Sequence, residues 1–401
     1  MRPVKQAGVI STHTLVTFAP AASAGAGAVL LLLHVSRLGF FFVSSCMLTY
    51  TYRDLTWGGL PRFYWRRFVS VGVPYLCWTV IYFFFLLPTA HYHGIGPALK
   101  GLGSMAETRY YQLYFLLVIM QFYVVFPLVT VLLRRTAGHH GLLVAAAAAA
   151  QVAMAVLTHW RLLPPLLQKY SEQDALSYVF YLVGGCVVAS HLEQADAWVR
   201  RHARLVVALT AASALAAEGV YFLARDGVTT VLGATSDPFQ PSVIPFNVGA
   251  IACCYLAGVA LVRPERSRFV KAVVRSGSDN AYGVYLAHIL VITTLVWLGW
   301  RNLGAAVPWP LLCLLTAGIV VACCVPATAL LARTPLAVPL TGRRRVPWRR
   351  PAAQAAPAPA RGRGFGVAVA TPNPRPLNAN RAARGREARP PASPAAAPGQ
   401  G

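Results

Sequence analysis

Long apolar runs alternate with short polar segments along the first 335 positions of the chain. Each run is about as long as the ~20 apolar residues that an α-helix needs to cross a bilayer. The runs therefore predict an all-α polytopic membrane domain over residues 1–335, with about ten transmembrane helices. Their approximate bounds are 3–20, 27–50, 67–88, 112–133, 141–158, 175–191, 204–223, 246–262, 281–300 and 309–332.

Composition excludes an ordinary soluble enzyme. Hydrophobic residues make up 56% of the 401 positions and charged residues only 12%, with a mean hydropathy of +0.53. Soluble domains carry roughly 25% charged residues. The 8 cysteines all fall inside apolar runs, without metal-like spacing beyond two adjacent doublets, so no metal site is predicted.

Residues 341–401 differ from the rest of the chain because arginine, proline, alanine and glycine dominate them. Such a segment cannot bury a core, so it is predicted to be a disordered cytoplasmic tail. Its first part is expected to contact anionic lipid headgroups. The basic residues concerned are Arg343, Arg344, Arg345, Arg349 and Arg350. The net charge of +24 is explained by this tail and the loops, and no nucleic-acid partner is expected.

The loops predict the orientation of the helices, because cytoplasmic loops carry an excess of lysine and arginine. With the N-terminus inside, the inside segments hold 16 basic residues and the outside loops hold 6. The prediction is a multi-pass protein of the plasma membrane with both termini in the cytoplasm.

Ionisable residues inside spans are costly, so each marks a candidate functional position. Arg2 and His13 are eleven residues apart, a rise of about 16 Å, and a total rotation only about 20° past three turns places them on one helix face. A surface cation suits a phosphate-bearing substrate, and a membrane-interior imidazole suits proton transfer. The alternative is an arginine that sets topology and a histidine that hydrogen-bonds a neighbouring helix.

A second polar group lies inside the second predicted span. His34, Arg37 and Ser44 project to one stripe of that helix. A buried arginine there must face a cavity, backbone carbonyls or an anionic ligand, unless it forms an internal ion pair with Glu218. The remaining interior polar residues are predicted to form hydrogen bonds between helices. They are Gln121, Gln151, Asn247 and His288.

Several short motifs follow one another in a recognisable order. They are Arg2 and His13 with ten residues between them, His34 with Arg37, the phenylalanine and serine stretch 40–45, Arg66 and Arg67 followed by Pro74 and Tyr75, the stretch 114–127, and the stretch 279–288. Together they resemble the motifs of acyltransferase family 3, integral membrane O-acyltransferases, over roughly residues 2–330. Two positions depart from that pattern, because Ser45 replaces the usual glycine and Leu38 a frequent carboxylate.

The resemblance implies transfer of an acyl group, with acetyl as the expected one, from acyl-CoA to a hydroxyl of a glycan or another small acceptor. No bound cofactor is implied, since acyl-CoA is a substrate. The predicted catalytic set is His13 as base with Arg2, Arg37 and His34, where Arg37 holds donor pantetheine, acceptor or oxyanion. Arg66 and Arg67, with Arg2, are predicted to hold the CoA phosphates.

Two other classes of function remain open from the residues. A transporter of a glycan or small molecule also fits ten spans with interior histidine and arginine. An inverted-repeat transporter has corresponding motifs in its two halves, however, and none relates residues 1–160 to 175–332. A non-catalytic membrane scaffold predicts no need for His13.

Overall fold

The computed structural model describes residues 2–90, 92–108, 111–227 and 239–347, with the backbone alone for residues 2–5, 107, 108 and 111. These residues form helices joined by short loops, and no β-strand occurs among them. The α-helices are α1 (Arg2–Phe18), α2 (Ala24–Leu33), α3 (Val35–Thr51), α4 (Leu60–Leu86), α5 (Ile95–Thr108), α6 (Tyr114–Arg135), α7 (His140–His159), α8 (Pro165–Tyr170), α9 (Val179–Ser190), α10 (Leu192–Arg201), α11 (Ala203–Arg225), α12 (Ile244–Leu261), α13 (Arg268–Trp297), α14 (Trp309–Leu331) and α15 (Ala337–Thr341).

The predicted all-α multi-pass architecture is confirmed. Within the described residues, 8 helical segments are long and apolar enough to cross a membrane, and 9 if α9 with α10 counts as one bent span. The first predicted span corresponds to α1, which has 17 residues and so lies at the short end of the range for a span. The chain is therefore a multi-pass membrane protein.

The second predicted span is one membrane crossing with a local interruption. Residues Ala24–Thr51 form a single candidate span, but His34 separates α2 from α3. The backbone N–H of Arg37 donates to the His34 carbonyl at 3.2 Å, a tighter turn than that of an α-helix. His34 therefore lies at a joint and not within a continuous helix.

The predicted span at 175–191 ends in a sharp bend. After Ser190 the chain turns by 98° into the short helix α10. The buried Asp196 of α10 accepts hydrogen bonds from Arg200 Nε at 2.6 Å and from the Tyr255 hydroxyl of α12. The bond from Tyr255 holds α10 against α12, and the bond from Arg200 lies within α10.

Close packing of α9 against α3 explains part of the serine motif. A Cβ atom at Gly185 of α9 would overlap both the backbone oxygen of Phe42 and the hydroxyl of Ser45. Ser45 is fully buried, and its hydroxyl donates to the Phe42 carbonyl at 3.0 Å. Small residues allow helix backbones to approach closely in membranes. Glycine on α9 therefore provides the space that Ser45 occupies on α3.

The first helix lies inside the bundle. It packs against α3, α13 and α14. The side chain of Ser36 on α3 lies where a Cβ atom at Gly8 of α1 would come within 2.8 Å, so these two helices are also in close contact. Residues on the second half of α1 consequently face side chains from distant parts of the chain.

Contacts at one end of the bundle join loops for which the charge pattern predicts the same, cytoplasmic side. Arg134 donates to the carbonyls of Arg53 and Leu55 at 3.1 and 3.2 Å. His140 and His191 share a hydrogen bond of 2.8 Å between Nδ1 and Nε2. The ends of α3, α6 and α9 and the start of α7 therefore meet on one side, as the predicted alternation requires.

The helical unit continues past residue 335. The short helix α15 packs against α4, where Trp78 Nε1 donates to the Leu340 carbonyl at 3.1 Å. Arg343, which begins the predicted lipid-binding cluster, lies 3.7 Å from the Asp279 carboxylate. The rest of the predicted tail, from residue 348 on, lies outside the described residues.

Candidate functional site

His13 and His288 form the centre of a polar site inside the bundle. Their ring centroids lie 5.1 Å apart, with the ring planes inclined by 51°. His288 is fully buried on α13, and its Nδ1 lies 2.6 Å from the Tyr285 carbonyl. Its Nε2 is buried and has no hydrogen-bond partner among the described residues.

The structure brings the second predicted polar group to the same place. His34 and Arg37 are close enough to His13 to interact with it electrostatically. This proximity follows from the packing of α1 on α3. Three of the four residues predicted as catalytic therefore converge, although the sequence separates them into two spans.

Arg37 is held by aromatic residues. Its Nη1 donates to the Tyr114 hydroxyl at 2.6 Å. The guanidinium carbon lies 5.7 Å from the ring centre of Tyr114 and 5.9 Å from those of Tyr178 and Phe239. Cation–π attraction of this kind stabilises a cation away from water. The rings come from α6, from the turn before α9, and from the segment before α12.

One edge of the Arg37 guanidinium makes no hydrogen bond to any described residue. Nε and Nη2 are buried and have no hydrogen-bond partner among the described residues. The hypothesis of an ion pair with Glu218 is wrong, because both Glu218 carboxylate oxygens also lack a partner within that part of the chain. Glu172 adds a negative charge near Arg37. The Nε–Nη2 edge is suited to bidentate contact with an oxygen-bearing group.

Two of the aromatic residues around Arg37 each have a buried polar residue next to them in the sequence. Ser177, next to Tyr178, and Gln240, next to Phe239, are both fully buried. Within the described residues, the Ser177 hydroxyl and both amide atoms of Gln240 have no hydrogen-bond partner. Unsatisfied buried polar atoms are rare in proteins. These polar atoms belong to the two segments that carry Tyr178 and Phe239, which makes those segments candidates for contact with a polar ligand.

A separate cavity of about 490 Å³ opens between the end of α3 and the start of α4. Arg53, Arg62 and Arg66 line it, together with Tyr50 and Asp54. The charge pattern predicts that this end of both helices faces the cytoplasm. Three guanidinium groups around one cavity are typical of a site for phosphate groups.

The two predicted donor-binding arginines have different environments. Arg66 is exposed and lines the cavity, as expected for a phosphate ligand. Arg67 lies over the Tyr52 ring at 4.7 Å and near the Tyr123 ring at 5.9 Å, so it packs behind the cavity wall. Arg53 and Arg62 are among the 16 basic residues of the predicted inside segments, and the structure shows that they line the same cavity as Arg66.

Arg2 cannot be placed in the site, because its side chain lies outside the described residues. The cavity and the interior site are well separated along α3. Between Arg37 and Thr51, which lines the cavity, the helix rises about 21 Å at 1.5 Å per residue. A substrate that contacts both places must therefore be long.

The remaining interior polar residues have mixed roles. Asn247 donates to the Tyr181 hydroxyl at 3.4 Å, which is the predicted contact between helices. Gln121 donates to the Gln173 carbonyl at 2.7 Å and Gln151 to the Ser177 carbonyl at 2.7 Å. These two amides therefore fix the segment before α9, which also presents Tyr178 to Arg37.

The fold and the site define an integral membrane protein with a polar site inside its helical bundle and an arginine-lined cavity at one end. The family model for the acyltransferase domain matches residues 7–328, so the chain belongs to acyltransferase family 3. The matched range includes His13, Arg37, Arg66 and His288, and the predicted resemblance is confirmed. A comparison with curated proteins and one with solved structures give no match.

Proposed function

We propose that this membrane acyltransferase moves an acyl group, with acetyl as the expected one, from acyl-CoA to a hydroxyl of a glycan or another small acceptor. The observation that carries the proposal is the convergence of His13 and Arg37 in the interior of the bundle. We further propose that the protein lies in the plasma membrane with both termini in the cytoplasm.

The interior residues fit the needs of this reaction. His13 takes the proton of the acceptor hydroxyl while the hydroxyl oxygen attacks the thioester carbon. The carbon–sulfur bond then breaks, and the CoA thiolate leaves with the proton that His13 gives back. Proton transfer by a positioned side chain typically contributes about 10²- to 10⁴-fold in rate.

Arg37 stabilises the negative charge that develops on the carbonyl oxygen or holds an oxygen of the acceptor. The support is its Nε–Nη2 edge, which no described residue occupies. Donors that are fixed before the reaction are effective because they need no reorganisation when charge develops. The contacts to Tyr114, Tyr178 and Phe239 supply that fixation.

The arginine-lined cavity is the proposed site for the phosphate-bearing end of CoA. Arg53, Arg62 and Arg66 bind phosphate oxygens there, at the end of the bundle where cytoplasmic donor arrives. The pantetheine arm then extends along the bundle toward His13. A long arm suits the separation of about 21 Å along α3.

The acceptor is proposed to enter from the opposite end. The groups around Arg37 come from the segments that precede α9 and α12, which the charge pattern places outside. The buried hydroxyl of Ser177 and amide of Gln240 can hydrogen-bond the hydroxyl groups of a glycan. Membership of an acyltransferase family favours this function over the transporter and scaffold alternatives.

The test is transfer of label from acetyl-CoA that is radiolabelled in its acetyl group. Membranes containing the protein are incubated with this donor and a glycan extract of the host, with membranes lacking the protein as the control. We expect alkali-labile label in the extract and release of an equal amount of CoA thiol. Labelled material that crosses the membrane without thiol release would support transport instead.

A further inference from the structure

We infer that His288 is a positioning residue that orients His13 by accepting a hydrogen bond from it. The inference rests on the proposed function, because it assigns His288 a part in the same proton transfer. The sequence predicts that His288 hydrogen-bonds a neighbouring helix. Among the described residues, however, the one hydrogen bond of His288 lies within its own helix, α13.

The contacts of His288 determine its tautomer. A backbone carbonyl only accepts hydrogen bonds, so Nδ1, at 2.6 Å from the Tyr285 carbonyl, must carry a proton. In the neutral ring, Nε2 is then an acceptor with a free lone pair. That atom is buried and has no hydrogen-bond partner in the described part of the chain.

His13 is the neighbouring ring that can reach this acceptor. The centroids of His13 and His288 are 5.1 Å apart. His140 and His191, a pair with centroids 5.0 Å apart, share a nitrogen–nitrogen hydrogen bond of 2.8 Å. The separation of His13 and His288 is therefore short enough for such a bond, and we infer that it forms when the His13 ring turns toward Nε2 of His288.

The bond has a direct consequence for the chemistry. When one nitrogen of His13 donates its proton to Nε2 of His288, the other nitrogen is unprotonated and faces the substrate as a base. It takes the acceptor's proton as the oxygen–carbon bond forms, and it returns that proton to the sulfur as the carbon–sulfur bond breaks. His288 keeps its own proton on Nδ1 throughout and supplies orientation alone.

An unpaired acceptor in the core also argues against a purely packing role. A buried polar atom without a hydrogen bond costs roughly 1–3 kcal/mol of stability. An apolar residue at position 288 avoids that cost. A hydrogen bond from His13 to Nε2 during the reaction explains why a histidine occupies this position beside the proposed base.

Kinetics of two substitutions test the inference. His288→Leu removes the acceptor, whereas His288→Gln keeps an oxygen acceptor near the position of Nε2. Because a small misplacement of a catalytic group can cost about 10²-fold in rate, we expect kcat of His288→Leu to fall about 10- to 100-fold with the KM for acetyl-CoA unchanged. We expect His288→Gln to recover most of that loss.

The matched control is Asn280→Ala, another buried polar side chain of α13, which hydrogen-bonds the Ser276 carbonyl of its own helix. It should keep the wild-type kcat. A His288→Leu protein with wild-type kcat overturns the inference. Equal loss in the leucine and glutamine variants, with both proteins correctly inserted, overturns it as well.

A second measurement needs no acyl transfer. Solid-state NMR of the full chain labelled with ¹⁵N-histidine in bilayers reports which ring nitrogen carries the proton, and the His288 signals are those lost in His288→Gln. We expect a neutral His288 protonated at Nδ1. A proton on Nε2 overturns the inference even if the enzyme is active, whereas absence of transfer by the wild-type protein contradicts the proposed function alone.

Discussion

Arg37 Nη1 donates a hydrogen bond of 2.6 Å to the hydroxyl of Tyr114, which leaves the Nε–Nη2 edge of the same guanidinium directed away from that contact. Tyr114 thereby fixes the Nη1 end of the Arg37 guanidinium and leaves the two donors Nε and Nη2 for a ligand. The arrangement depends on the planar shape of arginine and not on charge alone.

Arg37→Lys is therefore expected to be nearly inactive. A lysine keeps the charge but cannot bond Tyr114 and present two parallel donors together. We expect turnover to fall at least about 100-fold, the typical effect of losing one donor to a developing oxyanion. The matched control is Arg225→Lys on α11, whose side chain bonds the Ala22 carbonyl at an exposed position. Wild-type turnover in Arg37→Lys would remove Arg37 from the proposed site.

Substitutions in the arginine-lined cavity should weaken donor binding. Arg62→Ala and Arg66→Ala each remove one charged hydrogen bond, worth about 1.5–3 kcal/mol, so the KM for acetyl-CoA should rise about tenfold or more with kcat little changed. Arg135→Ala, an exposed arginine at the same end of the bundle, is the control. A fall in kcat without any change in KM would place the CoA phosphates elsewhere.

The contact between α3 and α9 should tolerate no added atom at Gly185. We expect Gly185→Ala to destabilise the protein by about 1–3 kcal/mol, the usual effect of overpacking, because the new methyl group meets the Phe42 carbonyl and Ser45. In Gly219→Ala on α11 the new methyl group meets no atom within 4 Å. Thermal unfolding in detergent compares the two, and equal melting temperatures would contradict the packing described for α3 and α9.

Topology can be tested by cysteine labelling from outside the cell. A cysteine at Lys100, between α4 and α6, should react with an impermeant reagent, and one at Arg135 should not. The eight native cysteines require the unmodified protein as a background control. The reverse labelling pattern would contradict cytoplasmic termini.

Much of the fold was predictable because apolar runs of spanning length determine helices largely by themselves. The joint at His34 and the 98° bend after Ser190 were not predicted. Neither position has a proline in the sequence to mark it, and both conformations depend on helices that pack from distant parts of the chain.

The sequence predicts those residues of the candidate site whose ionisable side chains are energetically costly to place in a membrane. His13, His34 and Arg37 stood out individually for that reason. The role proposed for His288 could not be predicted from the sequence, because its distance to His13 depends on the packing of α1 against α13. Arg62 and Arg66 are four residues apart, so they lie on one face of a helix and could share a ligand. Counting both only as basic loop residues overlooks this spacing.

The most direct test of the account compares turnover and donor binding in one purified His13→Ala protein. His13 is proposed to move a proton and not to hold CoA, so the substitution should lower kcat by about 10²- to 10⁴-fold while the dissociation constant for acetyl-CoA stays within about twofold of the wild-type value. His202→Ala controls for the loss of an imidazole, because His202 is the N-cap residue of α11 and belongs to none of the family motifs. A correctly inserted His13→Ala protein that turns over at the wild-type rate would contradict the central claim.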